Sequence, residues 1–189
     1  MTSYEIVRRA IEFERPERIP IRFAALDVDD THRAGVGPAA GWRPPEPNAD
    51  EWGCVWEVPP EGSGIVNMGQ PKGHPLSSLN HMDEIPWPDP TDDARYEVTA
   101  RDLQSAGDKY VATGCGFTFF ERMHFLHDMP ELLVDMHERP AQVHELAERV
   151  LEFPIGVARE IGRRFRGRLH GFTMTDDWGT QQACFLSMP

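Results

Sequence analysis

Lysine is nearly missing from this chain of 189 residues: Lys72 and Lys109 stand alone beside 17 arginines. Acidic residues outnumber basic ones by 31 to 19, for a formal net charge of −12. A charge of that sign excludes a nucleic-acid scaffold held by phosphate contacts and a polybasic membrane anchor. Cysteine is scarce as well. Cys54, Cys115 and Cys184 lie far apart with no CxxC pair, so neither a disulfide framework nor a structural zinc site is indicated, and a reducing compartment fits best. No stretch approaches 18 consecutive apolar residues, and Met1 to Pro20 carries charges throughout with no apolar leader core. The expectation is a cytoplasmic protein with neither membrane nor nucleic acid as partner. GxSxG, a phosphate-binding Gly-Lys loop, HExxH and a dinucleotide fingerprint are all absent, which leaves serine hydrolase, P-loop and Rossmann readings without support.

Apolar residues make up 40% of the chain, with 10 Phe, 5 Trp and 3 Tyr, enough for a packed core. Sixteen Gly and 17 Pro, concentrated before residue 90, make the first half rich in loops. Thr2 and Glu5 form a capping box ahead of Ile6, Val7, Ala10 and Ile11, predicting a helix over 2–13. Arg18 to Phe23 alternates as a short strand, and 24–50 reads as a long loop. Segments 53–58 and 64–69, separated by a Pro-Pro-Glu-Gly-Ser turn, suggest a hairpin. Helices are predicted over 94–106, in part of 117–127, and from Pro130 to Glu138. The strongest period runs over 140–165, with Pro140 at a first-turn position and Pro154 inside. Segments 109–113 and 169–174 read as buried strands. Such alternation implies a parallel sheet in an α/β fold, with chemistry at the carboxyl ends of its strands. Residues 24–30, 114–121 and 175–181 are read as leaving strands in that direction.

The sharpest feature is Asp176-Asp177-Trp178-Gly179-Thr180-Gln181, two carboxylates, an aromatic face, a turn and an amide directly after a strand. Neighbouring side chains on extended backbone diverge. One Asp is therefore read as facing the mouth, as proton acceptor, ligand anchor or metal ligand, and the other as a helix cap or solvated turn acid. Glu121 follows Phe117-Thr118-Phe119-Phe120, where burial beside aromatic rings would raise its pKa and suit it to acid work; the alternative is an acid favoured by a helix dipole. Glu121, His124 and His127 repeat at i, i+3, i+6, but the third member rotates by ~60° from the first, and ordinary loop histidines explain them as well. His74, and Asp50 with Trp52, are read as pocket-lining or loop-closing residues.

Glu14-Arg15-Pro16-Glu17-Arg18-Ile19-Pro20-Ile21, Asp50-Glu51-Trp52-Gly53, His74-Pro75-Leu76, Trp87-Pro88-Asp89-Pro90, Phe120-Glu121 and the stretch from Asp176 to Gln181, in this order, resemble the uroporphyrinogen decarboxylase family. That family also holds cobalamin-dependent methyltransferases. The resemblance implies a (β/α)8 TIM-type barrel of which 1–189 covers roughly the first half, with a loop and hairpin insertion at about 24–90. The family's decarboxylases carry arginines just after the first strand. Here that stretch holds no Arg and three acids, Asp27, Asp29 and Asp30, so a methyltransferase of the corrinoid-dependent type acting on a small methylated substrate is the expected activity. Decarboxylation of uroporphyrinogen or another carboxylic acid is the alternative, and a catalytically inactive half-barrel the third. From their position after strands or in loops, and from the family elements, Asp176, Asp177 and Glu121 are expected as catalytic residues and Trp178, Gln181, Asp50, Trp52 and His74 as substrate-binding ones. It implies zinc and a corrinoid for the complete family enzyme, with metal ligands from a half this chain does not contain, so no cofactor is expected within the chain. The expected partners are the small-molecule substrate, a corrinoid protein, and a second half-barrel chain or another copy of this one.

Overall fold

In the computed structural model, which describes residues 1–23, 26, 28–60 and 69–187, the elements follow in order. They are α1 (Ser3–Ile11), β1 (Arg22–Phe23), β2 (Val28–Asp29), β3 (Thr31–Arg33), β4 (Val55–Glu57), β5 (Gln70–Gly73), α2 (Arg95–Asp102), β6 (Tyr110–Cys115), α3 (Phe120–Leu126), α4 (Met129–Glu138), α5 (Pro140–Arg164) and β7 (Gly171–Met174). The chain is mixed α/β, and its described residues form three small sheets and no closed barrel. They divide into two compact units. The first comprises 1–40, 90–115 and 155–174; the second comprises 41–89, 116–154 and 175–189. No helix of the described residues is long and apolar enough to cross a membrane.

The first unit is organised by β6, flanked by β3 and β7 in a parallel sheet of order β3-β6-β7. Alternation along β6 buries Val111 and Thr113 on one face, and Val111 packs with Ala34, Leu103 and Ala106. Gly114 is required where β6 meets β7, because a Cβ there would stand 1.8 Å from the Thr173 carbonyl oxygen. The capping box of α1 forms as expected. The Glu5 amide donates to Thr2 Oγ1 at 3.2 Å, and the Thr2 amide donates to Glu5 Oε2 at 2.8 Å.

The region between α1 and β3 departs from expectation. Of the strand predicted over 18–23, only Arg22 and Phe23 are extended, and they pair antiparallel with β2, outside the parallel sheet. The parallel strand is Thr31–Arg33, inside the stretch read as loop. Its three polar residues carry no apolar alternation. Their extended state comes from the ladder with β6, continued where the Ala34 amide donates to the Ala112 carbonyl at 2.9 Å. Residues 24–30 therefore precede the strand and do not leave its carboxyl end. Asp29 accepts from the Thr31 amide and hydroxyl at 2.8 and 2.7 Å. Asp30 is bound by both Arg18 guanidinium nitrogens at 2.5 and 2.7 Å, by Ser3 Oγ and by the Ile21 amide. Asp27 lies outside the described residues. Neither Asp29 nor Asp30 gives an anionic mouth, because local hydrogen bonds and one arginine already use their charge.

The second unit packs Leu79, Leu126, Leu132, Leu146 and Val150, all essentially unexposed, around Trp52, Phe120 and Met123. The hairpin forms from β4 and β5 with a register shift between Val55 and Trp56. Its second strand begins at Gln70, and 64–68 of the predicted segment lie outside the described residues. Helix α5 runs through Pro154, placing Val143, Leu146 and Val150 in the second unit's core and Val157 and Ile161 in the first. The helices predicted over 94–106, 130–138 and 140–165 and the strands over 109–113 and 169–174 all form, within a few residues of the expected limits, but β7 is not the buried strand expected, since Thr173 and Met174 are exposed.

Asp30 carries a pH signature. Arg18 in first place, and then the Ile21 and Ser3 donors, hold its carboxyl well below the usual carboxylate range. Its stabilisation is complete above the unfolded value of about 4 and is lost as pH falls below that. Asp30→Asn is expected to lower stability by about 2 kcal/mol at pH 7, because Arg18 remains partly solvated. In urea titrations at successive pH values, the gap between native and variant should begin to narrow below about pH 4 and keep narrowing as pH falls past 2.

Candidate functional site

The segments that leave β6 and β7 at their carboxyl ends belong to the second unit and are tied to each other. Phe117, in the left-handed region at φ 53°, donates its amide to Thr175 Oγ1 at 3.3 Å. The Thr118 amide and hydroxyl both donate to the Thr175 carbonyl, at 3.1 and 3.0 Å. The next residue, Asp176, accepts from the Phe120 amide at 2.9 Å and from the Glu121 amide at 2.8 Å. Helix α3 starts after Phe119, which has no side-chain oxygen to cap it. Asp176 supplies that cap from a distant part of the chain, and its negative charge stands at the positive end of the helix. Asp176 is thus the capping member of the acid pair, and its carboxylate oxygens are committed to structure.

Asp177 is the free member. Its side chain is exposed and, among the described residues, accepts from the Gly179 amide at 3.3 Å. Asp177 and Glu121 line a cavity of about 330 Å³ with Trp56, Phe117 and Phe125. The three rings form a continuous wall. Phe125 stands edge-on to Trp56 at 4.9 Å and to Phe117 at 5.1 Å between centroids, and Trp56 and Phe117 lie 5.9 Å apart. Burial, followed by Asp176 and Asp177, raises the Glu121 carboxyl above its ordinary value. The cavity therefore holds a carboxyl that takes a proton more readily than usual.

The remaining expected site residues are placed otherwise. Asp50 accepts from the amides of Trp52 and Cys54 at 3.0 and 2.9 Å, from Trp56 Nε1 at 3.2 Å and from Arg122 Nη1 at 2.8 Å. It is a structural hub. Trp52 is buried, edge-on to Trp87 and Phe153, with the Arg122 guanidinium 4.8 Å from its ring centroid. His74 Nδ1 meets the Phe125 carbonyl at 2.9 Å, and Nε2 lies 3.5 Å from Asp128. Trp178 lies over Phe120, 5.4 Å between centroids, and lines a separate apolar cavity of about 420 Å³. Gln181 is exposed and does not line the acid cavity.

The histidine series on α3 separates. His127 is buried between the Leu76 carbonyl at 2.8 Å and Asp135 at 3.0 Å, whereas His124 packs edge-on to Phe125 and is held towards its neutral form by burial. Among the described residues no three His, Cys, Asp or Glu side chains are gathered as a metal-ligand set. Burial pushes the Cys54 thiol up to about 12 and the Cys115 thiol up to about 11, so neither is a ready nucleophile.

Sequence reasoning missed the aromatic wall and the buried arginine. A signal for the wall was present, since Phe117, Glu121 and Phe125 recur every four residues. The pairing of Arg122 with Asp50 had none, because 71 residues separate them. Compared with known proteins, the chain matches no protein-family model, no curated protein and no solved structure.

The two aspartates should part in a stability measurement. Asp176→Ala is expected to cost about 1–2 kcal/mol through loss of the α3 cap, with Asp176→Asn in between because one amide oxygen can still accept. Asp177→Ala should stay within about 0.5 kcal/mol of the native chain, as expected for an exposed side chain. Urea midpoints at neutral pH check both.

Proposed function

We propose that the chain is a member of the uroporphyrinogen decarboxylase family, of the corrinoid-dependent methyltransferase type, and that the acid and aromatic cavity takes its small methylated substrate. The observation that carries this reading is the cavity lining. It joins the Glu121 and Asp177 carboxyls and Gln70 to the Trp56, Phe117 and Phe125 rings, with no Arg, Lys or His among the described residues lining it. A tetrapyrrole polycarboxylate would meet two acids there and no guanidinium, a repulsive contact at close range. A methyl-bearing group instead gains an apolar wall that excludes water, and a polar atom beside it gains a carboxyl that can hold a proton. The parallel order β3-β6-β7, which keeps the direction of the chain although the β4–β5 hairpin intervenes between the first two strands, supports the first part of a (β/α)8 barrel as the scaffold. The chain's own residues here bind, orient and shield the substrate. The corrinoid belongs to a partner protein, and no step is assigned to zinc.

The test is a panel of methylamines, methoxylated aromatics and uroporphyrinogen, incubated with the protein and a corrinoid acceptor and read by mass spectrometry. Demethylated product, with a rate at least about tenfold lower in Asp177→Ala, is the expected result. Unchanged turnover in that variant removes Asp177 from the site. Loss of carboxyl groups from uroporphyrinogen would replace the reading with the decarboxylase. No product from any substrate, together with self-association in ultracentrifugation, would replace it with the inactive half-barrel, whose open strand edges favour pairing.

A further inference from the structure

We infer that Arg122 anchors a second binding site, one that takes an oxyanion carried on a small apolar body. The site is a cavity of about 400 Å³ lined by Arg122, Asn48 and Asp50 and by the apolar side chains of Trp56, Val58 and Phe117. It shares the Trp56 and Phe117 rings with the acid cavity, whereas Glu121 and Asp177 line only the other. The inference goes beyond the proposed function and does not rest on it. Three observations carry it.

The first is an imbalance of hydrogen bonds. A guanidinium has five N–H donors and no acceptor. Among the described residues, Arg122 bonds through Nη1 alone, to Asp50 at 2.8 Å and weakly to Cys54 Sγ at 3.8 Å, and its Nε is buried with no partner. Asp50 has no acceptor position left, because two amides, the Trp56 indole and Arg122 fill them. The cavity therefore has donors in excess and its one carboxylate closed. In a side chain more than nine-tenths buried, unbonded donors are costly until an acceptor meets them.

The second is charge. Burial pushes the Cys54 thiol up to about 12, so the sulfur beside Nη1 stays neutral and Asp50 is the ion-pair partner. Glu121, the preceding residue of α3, feels the guanidinium's charge but lines the other cavity. With the Asp50 charge spread over four donors, an incoming anion meets unbonded guanidinium N–H groups rather than a bare carboxylate, and such charge-assisted bonds are the strong ones.

The third is the wall. The guanidinium carbon lies 4.8 Å from the Trp52 ring centroid and 5.7 Å from that of Phe125, which holds the fork in place before a ligand arrives. Trp56, Val58 and Phe117 then offer apolar surface that a bare inorganic ion would leave uncovered and an organic anion would bury.

The experiment is a calorimetric titration of the full chain with 3-phenylpropanoate, with phenyl phosphate and with the neutral 3-phenylpropan-1-ol, with the Trp56 indole N–H resonance as the marker of place. At least one anion should bind at least about tenfold more tightly than the alcohol and shift that resonance. The tighter of the two tells whether the recognised group is a carboxylate or a phosphate. Val58 is half exposed, so Val58→Asp adds a like charge at the cavity without touching the core. It should weaken the anion about tenfold relative to Val58→Asn, its neutral counterpart, and leave the alcohol unchanged between the two. Arg122→Lys keeps a charge for Asp50 but loses the fork, and should weaken the anion by a similar factor. Because Arg122 also holds the frame, a urea midpoint accompanies that variant, and the Val58 pair decides the matter if the lysine variant does not fold. Equal affinity for the alcohol and the anions, no binding of either anion at millimolar concentration, or equal anion affinity in Val58→Asp and Val58→Asn overturns the inference. The proposed function fails separately. A chain that binds the anion and transfers no methyl group keeps this site and loses that reading, and a chain that transfers methyl groups but binds no anion does the reverse.

Discussion

One carboxylate, Asp50, holds the second unit's cavity in shape. It gathers four donors: two amides of its own turn, the Trp56 indole and the Arg122 guanidinium of α3. A carboxylate has about four acceptor positions, so this one is saturated. The consequence is geometric. The turn before β4 and the start of α3 meet at a single charged atom pair, and Trp56 is presented to Phe117 and Phe125 with its nitrogen satisfied. Arg122 is stabilised in return, since a buried guanidinium without Asp50 would be an uncompensated charge among Trp52 and Phe125.

Asp176 completes what Asp50 begins. By accepting the first two amides of α3, it joins the segment after β7 to the helix that carries Glu121. Capping from afar links two stretches more than fifty residues apart. Acidic residues thus divide their labour. Asp50 and Asp176 are consumed by hydrogen bonds that hold the frame, which leaves Glu121 and Asp177 with charge to spare. The net acidity of the chain becomes specific only through this division.

The first unit shows the same economy with a different partner. Asp30 is closed by Arg18, Ser3 and the Ile21 amide just before β3. Three acids in four residues looked like a repulsive mouth, and the direction of the chain corrects this, because they come before the parallel strand and not after it.

Much of the fold was legible from residue order. The capping box at Thr2 and the apolar period of α5 are local signals, and local signals survive in a sequence because they depend on neighbours a few positions away. The acid pair after β7 and the aromatic setting of Glu121 could be read in the same way. Strand β3 could not, because Thr-His-Arg is extended only by the ladder that β6 offers. Nor could the roles of Asp50, Asp176 and Arg122, whose partners lie up to 72 residues away. The sequence alone determined which segments coil, which extend and where carboxyls and rings are concentrated. Tertiary structure decided which carboxylates are spent on amides and guanidinium and which remain free, since hydrogen-bond saturation depends on groups that only folding brings within 3 Å.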